Sequence, residues 1–160
     1  MSYILSAQVI GSKELDDAFK KAPTIVSSSL KKAIGKAAFI VESKVKGYAP
    51  IQYGTLRGSI NVRGPYITSS NVEAIVGTNV KYAPYQEYGT GIYAGKGMIV
   101  PKKARVLAWR GRDGSWRFAK AVRGVQGKRF FQKAVHDAKG QLAGFLQKAL
   151  SDIISALAKS

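Results

Sequence analysis

The sequence predicts an α+β fold: a mostly antiparallel sheet with two long helices packed on one face and a projecting β-hairpin. Apolar residues recur every three or four positions in residues 24–46 and 128–158, which is the spacing of amphipathic helices. Residues 56–67 and 72–80 predict two strands, with Ser69-Ser70-Asn71 as the turn between them. Further along, Asp113-Gly114 separates two more short strands, and an Asp-Gly step is a strong hairpin signal.

Each long helix has one notable feature. The first is expected to begin at Thr24, a plausible N-cap, and to end near Gly47, because glycine suits the position after a helix and Pro50 follows shortly. The second contains Gly140 and Gly144, one turn apart. Each glycine is either a weak position costing about 1 kcal/mol relative to Ala or a point of close contact with another helix or strand.

Turn and break signals mark the limits of the predicted strands. A short strand is predicted at Tyr3–Ile10, where apolar residues alternate. Pro65 interrupts the next strand and indicates a sheet edge or a break, because proline cannot donate to the ladder. Residues 82–97 are expected to form a loop. The hairpin strands are predicted at 104–109 and 115–122.

Length and composition limit the class of protein. A chain of 160 residues suits one domain, so we expect a single domain over residues 1–160 with a hairpin insertion at about 99–122. The absence of cysteine excludes disulfides, a thiolate zinc site and thiol catalysis. The sequence shows no signal peptide and no apolar run of membrane-spanning length, so we expect a soluble protein without a membrane partner.

Residues able to support catalysis are few. None of the nine Asp and Glu residues pairs with another acid in a segment resembling a cleft. The single histidine, His136, adjoins Asp137 on a predicted helix; adjacent helical residues point in different directions, which argues against a catalytic triad and favours a solvated histidine. Residues 91–97 fail as a phosphate loop, because one residue is missing between the first two glycines and Gly97 replaces Ser or Thr. We therefore expect no enzymatic activity, no cofactor and no metal.

The segment 81–91 is unusually aromatic. Three tyrosines bracket a carboxylate, and a Gly-Thr-Gly sequence follows. Aromatic side chains are costly to leave in water and are enriched in interface cores, although these tyrosines could instead cover a sheet edge of their own subunit. We predict a subunit interface formed by Tyr82, Tyr85, Glu87, Tyr88, Thr90, Trp109 and Trp116.

Positive charge dominates the chain. Lys and Arg number 26 against nine Asp and Glu, a net charge of +17, and residues 102–133 contain eleven of these cations with only Asp113 as an acid. Cations interleaved with aromatic residues favour contact with nucleic acid or with acidic protein neighbours. A small basic nucleic-acid-binding protein is therefore the alternative function. The candidate contact residues are Arg105, Arg110, Arg112, Arg117, Lys120 and Arg123.

Three colinear motifs carry a family resemblance. A helix runs into Tyr48-Ala49-Pro50 and then Tyr53–Ile60; Tyr82–Thr90 follows; and Lys128–Phe131 leads into the last helix. In order and spacing the chain resembles the tail-completion (head–tail joining, or neck) proteins of long-tailed bacteriophages. Two departures are visible: Gly54-Thr55 reverses the family's Thr-Gly order, and the proline usual before Phe is absent.

The resemblance implies a structural role in a virion. Such a protein forms a homo-oligomeric ring of six subunits at the top of the tail tube, between tail-tube and head-connector proteins, after assembly in the host cytoplasm. A ring closes through head-to-tail contacts between two different surfaces, for which the tyrosine-rich segment and the hairpin are the candidates. The genome passes through such a ring, so the basic hairpin could also touch DNA phosphates in the lumen.

Overall fold

The computed structural model describes residues 5–10, 23–51, 54–68, 71–111 and 113–157. Its helices and antiparallel strands confirm the predicted α+β class. The residues divide into two compact units, one comprising Met1–Ala83 with Phe130–Ser160 and the other Pro84–Arg129. The organisation as a single domain with a hairpin insertion stays a prediction.

The elements follow one another in a simple order. In the described residues they are β1 (Leu5–Ile10), α1 (Pro23–Tyr48), α2 (Thr55–Ser59), β2 (Asn61–Ile67), β3 (Val72–Thr78), α3 (Ala83–Tyr88), a 3₁₀ turn (Gly91–Ala94), β4 (Leu107–Arg110), β5 (Trp116–Ala119) and α4 (Phe130–Leu157).

The sheet of the first unit has the order β1-β3-β2, and both pairings are antiparallel. Val76, on the central strand, is paired with Ala7 on one side and Val62 on the other. The register between β2 and β3 shifts between Arg63 and Tyr66, at the Gly64-Pro65 step, whose peptide bond is cis. Pro65 therefore lies in an edge strand at a break, as the sequence predicts.

Helix α1 contacts β2 and β3 and also packs along α4. Its buried stripe repeats at helical spacing and faces one apolar cluster, which takes further side chains from α2, β3 and α4. The largest fully buried apolar side chains of this core are Phe130, Ile34, Ile60, Ile153, Val26, Val41, Val45 and Val76. No helix in the described part of the chain is long and apolar enough to cross a membrane.

Several predicted boundaries differ from the structure. Thr24 lies inside α1, which begins one residue earlier, and Gly47 is not its cap, because the helix continues to Tyr48. The start of the strand predicted at 56–67 is wrong: Thr55–Ser59 form the short helix α2. The loop predicted at 82–97 contains α3 and the 3₁₀ turn. Tyr3, in the predicted first strand, lies outside the described residues.

Candidate assembly surfaces

The first family-like motif joins the end of α1 to the sheet. Leu56 and Ile60 are buried, and Arg57 donates from Nε to the carbonyl oxygen of Lys46 at 2.7 Å, so a cation satisfies the carboxyl end of α1. Ser59 Oγ lies 2.7 Å from the Leu56 carbonyl oxygen and 2.6 Å from Thr78 Oγ1. This motif therefore links α1, α2 and β3, while Tyr48 at its start is 46% exposed.

The second motif is anchored by pairing between two segments of the second unit, residues 86–92 and 123–129. Backbone amides of Thr90 and Ile92 donate to the carbonyl oxygens of Val125 and Arg123, at 2.8 and 3.0 Å. The Val125 amide returns a bond to Thr90 Oγ1 at 2.9 Å. We call these two stretches the paired segments. Thr90 therefore makes hydrogen bonds within its own subunit, and its role in a subunit interface stays a prediction.

Glycines permit this close approach of backbones. Gly89, at φ +85°, would place an added Cβ 2.6 Å from the Val125 carbonyl oxygen and 2.7 Å from the Gly127 nitrogen. Added Cβ atoms at Gly91, Gly124 and Gly127 would likewise collide with backbone atoms of the opposite segment. Each of these contacts is tighter than a real Cβ atom tolerates, so only glycine fits without a backbone shift.

The tyrosines of the motif point to solvent. Tyr85 and Tyr88 are 58% and 51% exposed, whereas Glu87 between them is buried. The Arg129 guanidinium lies 5.9 Å from the ring centroid of Tyr88, a cation–π contact. Tyr82, in the first unit, is also exposed. Burial thus separates the two halves of the prediction: Glu87 belongs to the interior, and the tyrosines remain available to another chain.

The hairpin is a two-stranded ribbon with aromatic groups on both faces. Residues opposite each other in the antiparallel register share a face, so Trp109 lies beside Arg117 on one face and Trp116 beside Arg110 on the other. On the second face the Trp116 and Phe118 rings stack at 6.3 Å, and the Arg110 guanidinium lies 5.4 Å from the Trp116 centroid. All five side chains are exposed.

The hairpin turn is held by its own carboxylate. Asp113 Oδ1 accepts from the Ser115 hydroxyl at 2.7 Å and from the Ser115 amide at 3.2 Å, and Arg117 lies 3.6 Å from Oδ2. The hydroxyl bond, followed by the amide bond, lowers the pKa of Asp113 below its ordinary value. The Asp-Gly hairpin signal in the sequence is confirmed, and Asp113 serves the turn.

His136 is exposed, as predicted for a solvated helix histidine, but its relation to Asp137 is different from the prediction. His136 Nδ1 lies 3.3 Å from Asp137 Oδ1, so neighbouring side chains on a helix do meet here. The Tyr48 hydroxyl donates to Asp137 Oδ2 and links α1 to α4. The Tyr48 bond, followed by the His136 bond, lowers the pKa of Asp137, and Asp137 in turn raises the pKa of Tyr48.

The basic residues predicted to contact DNA or acidic partners are spread along the second unit. Arg105, Arg110, Arg117, Lys120 and Arg123 are all exposed, while Arg112 lies outside the described residues. Only Arg110 and Arg117 belong to the hairpin strands themselves. The described residues contain no group of three or more His, Cys, Asp or Glu able to hold a metal ion.

Sequence reasoning missed the importance of Gly124 and Gly127. They stand in a stretch without strand periodicity, and their partners Gly89 and Gly91 are over thirty residues away in the chain. The only sequence signal was the similar spacing of glycines in the two stretches. Gly140 and Gly144 are exposed, and beyond the adjoining turns of its own helix a Cβ added at either glycine would meet nothing within 4 Å, so the described residues do not make the close contact considered for them.

Comparison with known proteins gives one match. Residues 13–89 match the HK97-gp10-like family, described as "Bacteriophage HK97-gp10, putative tail-component". No curated protein and no solved structure matches the chain. The matched residues contain the first motif and all but the last residue of the second. Residues 13–89 are therefore similar to a bacteriophage tail-component family, which confirms the predicted resemblance to phage tail and neck-type proteins.

Proposed function

We propose that this chain is a structural virion protein that forms a ring at the head–tail end of a phage tail and joins the tail to the head connector. The family match supports a tail component. The observation that carries the proposal is the aromatic surface left open on the second unit, at Tyr85 and Tyr88 and on both faces of the hairpin. Aromatic groups of this size are typical of interface cores.

The exposed ribbon gives a second physical reason to expect partners. An isolated two-stranded hairpin is marginally stable in water, and three strands or packing against a helix are usually needed. Among the strands that the structure describes, β4 and β5 pair only with each other, and both faces of the ribbon are exposed. Covering Trp109 on one face and Trp116 on the other by neighbouring chains would supply the missing burial. A ring also requires two different contact surfaces per subunit.

The same geometry favours a structural protein over an enzyme. His136 is exposed, and the adjacent Asp137 accepts hydrogen bonds from Tyr48 and faces the His136 ring. The buried carboxylate Glu87 lies among the backbone bonds of the paired segments, where Arg129 donates its amide to the Glu87 carbonyl oxygen at 3.1 Å. The Asp137 carboxylate thus links two helices, and the Glu87 backbone joins the paired segments. We therefore propose no catalytic role for either acid.

Imaging of assembled particles tests the proposal. A small tag at the carboxyl terminus of this chain should produce density at the head–tail junction of intact virions. Particles made with Tyr85→Ala and Tyr88→Ala should lack joined heads and tails, whereas Phe39→Ala, which removes an exposed aromatic side chain from α1, should assemble normally. A tag found only outside the virion, or away from the junction in every particle, would refute the role.

Nucleic-acid binding is kept as a second candidate because of one observation, the exposed Arg110–Trp116–Phe118 stack. Aromatic platforms beside cations bind single strands by stacking and by phosphate neutralisation. If the hairpin binds nucleic acid, the affinity should fall steeply between low and moderate salt, because bound counterions are released. A mobility shift that is insensitive to salt would rule this mechanism out.

A further inference from the structure

A groove in the second unit has the features of a protein-binding site. Its volume is about 480 Å³. Apolar side chains form much of its wall, and lysines stand among them. The residues that line the groove include Tyr85, Thr90, Lys96, Met98, Val100 and Lys102.

The groove is built on a fixed backbone. On one side lie Gly89 to Gly91, held by the hydrogen bonds of the paired segments. On the other side Ile99 exchanges two backbone bonds with Val122, at 2.8 and 2.9 Å. Lys96 follows the 3₁₀ turn, and its amide donates to the Gly91 carbonyl oxygen at 3.0 Å. Because this backbone is already ordered, the groove loses little conformational entropy when a ligand binds.

Its walls call for an apolar ligand group. Met98 and Val100 are 49% and 56% exposed, and Tyr85 is exposed beside them. Burying these side chains would remove apolar surface from water at about 25 cal/mol per Å². The cavity is large enough for an aromatic or leucine side chain, which is the usual anchor in such pockets.

The positive charge around the groove favours an acidic ligand. Residues 84–129 contain eleven Lys and Arg against two Asp and Glu, a net charge of +9. Neither acid is available to the groove lysines: Glu87 is buried, and Asp113 is bonded to Ser115 and Arg117 in the hairpin turn. Lys96 and Lys102 are both exposed. Carboxylates of an incoming chain would meet them without competition from an acid of the groove lining.

We propose that this groove binds an acidic segment of a different protein, with one apolar side chain placed among Tyr85, Met98 and Val100 and carboxylates beside Lys96 and Lys102. A second copy of this chain is a poorer occupant of the groove, because each copy carries 26 basic residues against nine acidic ones and so offers few carboxylates to place beside Lys96 and Lys102. The inference rests on the assembly role proposed above and names the chemistry of one partner.

Fluorescence anisotropy with the full chain tests the proposal. The probe is a short fluorescein-labelled peptide, Asp-Glu-Phe-Asp-Glu-Leu, and its counterpart has Lys in place of each acid. The wild type should bind the acidic probe and not the basic one. The double variant Lys96→Glu/Lys102→Glu should bind the acidic probe about 2- to 30-fold more weakly, the range for the loss of two exposed ion pairs. Val100→Asp should also weaken binding.

A matched control separates local from global charge. Lys133→Glu/Lys139→Glu changes the net charge equally at exposed positions of α4, in the first unit, and should leave binding unchanged. Circular dichroism melting confirms that each variant is folded. Equal weakening by both double variants would overturn the proposal, as would unchanged binding by the groove variant. If the groove variant alters self-association measured by light scattering and not probe binding, the groove is a contact between copies and the proposal fails. Probe binding is independent of where the tag lies in the virion, so the two proposals fail separately.

Discussion

The pairing of residues 86–92 with 123–129 should depend on glycine at position 89. Gly89→Ala adds a methyl group where the Val125 carbonyl oxygen would be 2.6 Å away and the Gly127 nitrogen 2.7 Å away. Both are backbone atoms and cannot rotate aside. The two segments must separate, and the bond from the Thr90 amide to Val125 is the first expected to break.

The free-energy cost of Gly89→Ala has two parts, one from the backbone conformation and one from the collision with the opposite segment. Positive φ costs an L-residue about 1–2 kcal/mol. Forcing the added methyl group into a packed site costs about 1–3 kcal/mol, and one lost backbone bond adds about 0.5–1.5 kcal/mol. Gly95→Ala isolates the first part, because Gly95 has φ +69° and no described atom within 4 Å of its added Cβ. The difference between the two variants should therefore be about 1.5–4.5 kcal/mol.

Hydrogen exchange of the Thr90 and Ile92 amides is the direct assay, because it reports opening of the paired segments alone. Exchange should be about 10- to 1,600-fold faster in Gly89→Ala than in Gly95→Ala if opening limits exchange, since each 1.4 kcal/mol corresponds to a factor of ten. Equal exchange rates in the two variants would show that the segments are not closely packed and would refute the reasoning.

Two further predictions concern the first unit. Ile34→Ala should lower the free energy of unfolding by about 2–5 kcal/mol, because Ile34 is fully buried and the substitution leaves a cavity. Phe39→Ala, at an exposed position of α1, should change the free energy of unfolding by less than about 0.5 kcal/mol. Urea denaturation measures both values, and similar losses in the two variants would contradict the assignment of Ile34 to the core. Tyr48→Phe should be less stable than the wild type at neutral pH. Because the folded-state pKa of Asp137 is lowered by Tyr48, this advantage of the wild type is present above the unfolded value of about 3.9 and is lost as the pH falls through the folded pKa. A stability gap that persists unchanged at pH 2–3 would argue against the Tyr48–Asp137 bond.

Helices were more predictable than the turns between them. The stripes of α1 and α4 repeat over seven turns or more, so errors at Thr24 and Gly47 shift a boundary without changing the element. The short helix Thr55–Ser59 overlaps the strand predicted at 56–67, because five residues are too few to show a helical period. Its helical form depends on Leu56 and Ile60 reaching the core and on Arg57 meeting the end of α1, and these are tertiary contacts that lie outside the local sequence.

The sequence predicts that the tyrosine-rich segment forms an interface, but it does not predict which of its side chains are buried and which are exposed. Glu87 and Tyr88 are adjacent, yet Glu87 is buried and Tyr88 is exposed. The backbone beside Glu87 pairs with the second paired segment, over thirty residues later, where Lys128 donates its amide to the Gln86 carbonyl oxygen at 2.7 Å. Without knowledge of that pairing, a tyrosine and a glutamate in one segment are equally good interface candidates.

Charge sets a condition on any ring built from this chain. The second unit carries +9, so hairpins of neighbouring copies cannot approach within about 8 Å, the screening length at physiological salt, without repulsion or an acidic counterpart. The salt dependence of binding therefore distinguishes two kinds of chain that could cover the aromatic faces, another copy of this chain or an acidic partner. Contact between copies should strengthen as salt rises, because repulsion is screened, while contact with an acidic partner should weaken. The sign of the salt dependence thus shows which kind of chain covers Trp109 and Trp116.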